Sequence, residues 1–184
     1  MGEVRSLRTP AMWNGAFVAG LALVPGGVAM PVPDVSGRSA DTDSAWRPSL
    51  LAVDAALQSG DRAGAANAWL QAHREAQRTR SWEALLAVGE ASLEVGTSPA
   101  AQIDATARAR PLFLAAMFRA RDTQSVDGVL AVSNAFGSLG DRAAVEQGIQ
   151  IARRIAGADL VAQDRVRQFE EATKATVLLA RRAS

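Results

Sequence analysis

The chain has 184 residues, no Cys, no Tyr, one His, one Lys, 19 Arg and 39 Ala, with a formal net charge of +1 at pH 7. This composition excludes a disulfide scaffold, a thiolate metal site, a cysteine nucleophile and a paired-His zinc motif, and the near-zero charge removes the electrostatic case for nucleic acid as a partner. Ala and Arg are strong helix formers while β-branched and aromatic residues are sparse, so the expected fold class is all-α, in one domain.

Residues 1–29 read as a secretory signal. Arg5 and Arg8 give a weakly basic start, an apolar run follows from Ala16 to Val24, and Pro25-Gly26-Gly27-Val28-Ala29 supplies small residues for a cut after Ala29. The run is short beside the roughly 20 residues of a spanning helix. The expectation is an exported protein, periplasmic or extracellular. In the alternative, residues 11–30 stay as a membrane anchor, and only then is a membrane a partner. No Cys stands at the cleavage site to carry a lipid. Residues 30–45, rich in Pro, Ser, Asp and Gly, read as a flexible linker, and the folded domain is expected over 46–184.

Seven helices are predicted, over 47–59, 61–79, 82–95, 99–121, 125–138, 141–156 and 159–181. Gly60-Asp61 and Gly140-Asp141 pair a helix-closing glycine with an Asp that can cap the next helix. Ser81 caps the helix that opens at Trp82, Ser98-Pro99 opens the fourth, and Asp159 opens the last. Pro111 falls inside the fourth helix and is expected to kink or split it.

The helices pair into hairpins. Gly60, Gly96 and Gly140 close the first helix of each, at spacings of 36 and 44 residues, and Gly-Asp-Arg-Ala recurs at Gly60 and Gly140. The first hairpin carries Gly60-Asp61, Ala65, Trp69 and Ala72; the second Leu85, Val88, Gly89 and Gly96; the third Ser133, Phe136, Gly140-Asp141 and Ala152. In these residues the chain resembles tetratricopeptide-repeat (TPR) proteins, whose unit is roughly 34 residues. The repeats are degenerate: Val145 and Ile149 replace an Ala and an aromatic, Thr97 replaces Asp, and the second hairpin has a long second helix. The resemblance implies a right-handed stack of about three TPR-like hairpins closed by a C-terminal capping helix, with the first helices lining the concave face.

The first helices carry five acidic residues and one Arg; the second helices, counted with their closing residues over 61–80, 99–122 and 141–156, carry eleven Arg and six acidic residues. Placed on the concave face by the resemblance, Leu50, Leu57, Leu86, Leu93 and Leu130 form an apolar ladder rimmed by Asp54, Glu83, Glu90, Glu94 and Asp127, with Asn134 at the place of a family asparagine. Such a face suits a basic segment of another protein. The expected function is therefore a protein–protein interaction scaffold, not an enzyme, with no catalytic or metal-binding residues and no cofactor. Two alternatives stand beside it: self-association through Val177, Leu178 and Leu179, and a ligand-binding or catalytic pocket near His73. Trp46, Trp69 and Trp82 are expected in the core, Trp46 being the one best placed to anchor a partner.

Overall fold

In a computed structural model, residues 44–96 and 99–182 are described, with side chains over 44–96 and 104–175. Residues 1–29, read as a signal, residues 30–43, read as a linker, Ser98, read as a cap, and the side chains of Val177, Leu178 and Leu179 lie outside the described residues. Seven helices follow one another: α1 (Trp46–Gln58), α2 (Arg62–Arg78), α3 (Trp82–Val95), α4 (Pro99–Asp122), α5 (Val126–Ser138), α6 (Arg142–Ala156) and α7 (Leu160–Arg182). No strand occurs among the described residues. Every boundary falls within one residue of its sequence expectation.

The helix ends show why. Gly60 and Gly140 take φ of +78° and +75°, where a side chain would be strained. The Asp after each then accepts a backbone N–H of the next helix: Asp61 from Gly64 at 2.8 Å, Asp141 from Ala144 at 3.1 Å. Ser81 and Ser125 cap α3 and α5 in the same way through the amides of Ala84 and Gly128, and Asp159 accepts from Val161 and Ala162. Gly96 closes α3 with φ of −85°, without a left-handed turn. Pro111 does not split α4, which runs through it as one helix. Pro111 and Ala107, whose carbonyl loses its donor to the proline, are both exposed, so water can take the place of the missing N–H.

Packing is heaviest within the pairs α1/α2, α3/α4 and α5/α6, which makes the architecture a stack of three helical hairpins. Between hairpins, α1 meets α3, α3 meets α5 and α5 meets α7, while α4 meets α6. The first helices thus lie side by side, and α7 covers the last hairpin. Its Ala162 and Val166 are buried, and it is tied down by Arg165 to Asp127 at 2.6 Å and Arg153 to Glu170 at 2.7 Å.

The core repeats in register. On the second helices, Ala65, Ala109 and Val145 are buried at equivalent positions, as are Ala72, Ala116 and Ala152, and Ala76, Ala120 and Ala156. Trp69 and Phe113 fill the matching large-residue position of the first two. The spacing is 44 then 36, whereas the first helices begin at Trp46, Trp82 and Val126, spaced 36 then 44. The eight extra residues of the second hairpin therefore sit before Ala109, at the start of α4. Small residues set the close approaches. Gly89 faces the Phe113 ring and Gly128 faces Trp82 and Ala120. Phe113 in turn meets Phe136 edge-on, with centroids 5.7 Å apart. The indole N–H of Trp69 donates to the Val88 carbonyl at 2.9 Å, joining α2 to α3.

Candidate partner-binding face

On each first helix one stripe holds no fully buried residue, at positions i, i+4, i+7 and i+11 (Glu83, Ala87 and Ala131 being half-buried), and the stripes align by the 36- and 44-residue spacings. They hold Arg47, Leu51, Asp54 and Gln58 on α1; Glu83, Ala87, Glu90 and Glu94 on α3; Asp127, Ala131, Asn134 and Ser138 on α5. Asp54, Glu90 and Asn134 occupy one equivalent position across three adjacent helices. This row is the centre of the face.

The predicted residues divide by burial and by partner. Asp54, Glu90, Glu94 and Asn134 are exposed. Leu50, Leu57, Leu86 and Leu93 are half-buried and pack against the core, so they floor the face more than they project from it. Leu130 is buried, because α5 is packed by α3, α4, α6 and α7 together. Glu83 is half-buried and accepts a hydrogen bond from the Ser81 hydroxyl at 2.5 Å. Asp127 is engaged by Arg165 of α7. Sequence reasoning passed over Leu51, which is 68% exposed. The spacing Arg47, Leu51, Asp54 marks it as the outer leucine, one residue round the helix from Leu50.

None of the ion pairs among the described residues uses Asp54, Glu90 or Glu94. Burial, and after it the Glu94 carboxylate one turn away, pushes the Glu90 carboxyl above its ordinary value. A cation placed here would offset the repulsion from Glu94 and favour the charged form of both carboxylates.

Trp46 does not provide an exposed anchor: it is buried, with the Arg47 guanidinium 4.7 Å above its ring. His73 stacks on Trp69 at 5.2 Å and shares a hydrogen bond with Gln77 at 3.1 Å; burial lowers its pKa. An open depression of about 270 Å³ between the α4–α5 and α6–α7 turns is lined by Gln124, Asp127, Asp159 and Arg165, far along the chain from His73. Among the described residues no group of three His, Cys, Asp or Glu side chains is placed to hold a metal ion, and no helix is long and apolar enough to cross a membrane. Comparison with family models, curated proteins and solved structures finds no match.

Proposed function

We propose that the chain is an exported, TPR-like scaffold that binds a basic segment of another protein on the face of α1, α3 and α5, and catalyses nothing. The observation that carries this reading is the acidic group Asp54, Glu90 and Glu94, exposed, without a counter-charge in any ion pair among the described residues, and floored by half-buried leucines. Uncompensated like charges on adjacent helices oppose folding slightly, and a cationic partner removes the penalty. The repeated small–large register of the second helices supports the TPR-like architecture, and the apolar run Ala16–Val24 before Gly27 and Ala29 supports export.

The test is binding of a fluorescent Arg-rich amphipathic peptide to the full chain and to a variant with Asp54→Lys, Glu90→Lys and Glu94→Lys. Binding is expected to be lost in the variant while its helical circular dichroism is kept. Equal binding by both sinks the reading. Amino-terminal sequencing of the mature protein from cells tests export, with Met30 as the expected first residue.

A further inference from the structure

The opposite set of helices carries a second surface. On α4, Leu114 and Phe118 are one turn apart and 42% and 53% exposed. Leu70 holds on α2 the place that Leu114 holds on α4 and is 43% exposed. The two helices are neighbours: Arg108 of α4 lies over the Trp69 ring of α2, and Arg119 of α4 donates to carbonyls at the end of α2. The position of Phe118 is filled on α2 by Arg74 and on α6 by Arg154, both exposed. Phe118 is thus flanked in register by an arginine on either side, while the Arg121 guanidinium 5.2 Å above its own ring is paired with Asp122 at 2.8 Å, so among the described residues the unpaired positive charge of the rim is that of Arg74 and Arg154. Neither Arg74 nor Arg154 takes part in an ion pair among the described residues. Large apolar side chains exposed together within a cationic rim mark a docking surface.

An occupant must offer apolar contact with free carboxylates beside it. The face of α1, α3 and α5 of this same chain does so, with Leu51 exposed and Asp54, Glu90 and Glu94 in no ion pair among the described residues. We infer that a second copy of the chain docks there: the Leu70, Leu114 and Phe118 surface of one copy seats on the Asp54, Glu90 and Glu94 face of the next. The inference rests on the acidic-face reading above and names its partner. The two faces belong to different helices, so the contact is heterologous. Each docked copy keeps one face free, and association continues head to tail instead of stopping at a dimer. Because the charges sit at the rim, salt weakens the contact.

Sedimentation of the full chain over a range of concentrations tests this. Species larger than dimers are expected at low salt, with association at least about tenfold weaker at high salt. Glu90→Gln with Glu94→Gln removes one face; Leu114→Ser with Phe118→Ser removes the other without touching the core. Each variant alone is expected to be monomeric, and an equal mixture is expected to form a 1:1 complex that grows no further, since each variant supplies the face the other lacks. A chain that is monomeric at all concentrations overturns the inference, as does a dimer indifferent to both variants. A monomer that binds phosphatidylglycerol vesicles, and loses that binding with Leu114→Ser and Phe118→Ser, also overturns it and assigns the surface to lipid. A monomer that still captures the Arg-rich peptide leaves the acidic-face reading standing alone; one that does not takes both readings down.

Discussion

The guanidinium of Arg119 sits at the carbonyl end of α2, with Nη1 3.2 Å from the carbonyl oxygen of Ala76 and 3.3 Å from that of Ser81, while Nη2 reaches Gln77 at 3.5 Å. A residue of the second hairpin therefore helps close a helix of the first, donating to the Ala76 carbonyl beside the Thr79 hydroxyl, which reaches it at 3.0 Å, to Gln77, and to Ser81 at the start of α3. Replacing Arg119 by Met keeps the stem and removes the donors. The expected cost is about 1–2 kcal/mol, read from thermal or urea unfolding, with faster amide exchange confined to the end of α2 and the Thr79–Ser81 turn. Lys in its place recovers only part of the loss, since it cannot fork across three carbonyls.

Two glycines should respond to alanine for different reasons. A Cβ on Gly89 would stand 2.5 Å from Cε1 of the Phe113 ring, which is fully buried and cannot move aside. Gly89→Ala is expected to cost about 1–3 kcal/mol through overpacking between α3 and α4. A Cβ on Gly60 meets nothing within 4 Å, and only its φ of +78° opposes the change, so Gly60→Ala should cost about 1 kcal/mol. Unfolding measurements separate the two further on enlarging the side chain. Gly89→Val should be worse than Gly89→Ala, while Gly60→Asn should be milder than Gly60→Ala.

Gln124 is the one non-glycine residue with positive φ among the described residues, at +54°, in the turn between α4 and α5. Left-handed backbone costs a residue with a Cβ about 1–2 kcal/mol. Its side-chain amide donates to the Arg121 carbonyl at 3.1 Å and offsets part of that. Gln124→Gly is expected to be neutral to stabilising by up to about 1 kcal/mol, the reverse of the usual effect of a new glycine. A lowered melting temperature would contradict this.

Glu90 sets a pH dependence. Its folded pKa lies above the ordinary value, chiefly through burial and secondarily through Glu94. The folded chain therefore holds a proton that the unfolded chain releases, and the stability linked to it is present below the unfolded pKa and lost as pH rises through the folded pKa. Glu90→Gln is expected to raise the melting temperature at neutral pH and to leave it unchanged in acid. Binding of a cationic peptide should in turn release protons in weakly acidic buffer, which calorimetry in buffers of different ionisation enthalpy detects.

The local features of the fold were open to the sequence because they depend on neighbours along the chain. Asp61 and Asp141 cap within three residues, and Gly60 and Gly140 act through their own backbone. What escaped depends on residues far apart. The small–large–small pattern of α4, at Ala109, Phe113 and Ala116, is written in the chain, yet counting from Gly96 looks for it eight residues too early. Leu130 belongs with Leu50 and Leu86 by spacing, and only the four helices around α5 bury it deeper than the others. Asp127 reads as a free rim acid until Arg165, 38 residues on, is seen to hold it. Of the acidic face, the charges were legible and their pairing was not.

The extra residues of the second hairpin lengthen α4 at its start, and after Ala109 the spacing to the third hairpin is again 36 residues, Ala116 to Ala152. Residues inserted or removed in that one segment, a turn at a time, would change the outline of the molecule while every buried seam downstream stayed closed. Such changes would have to keep Ala105, which is fully buried against α3, and would otherwise be confined to the second hairpin.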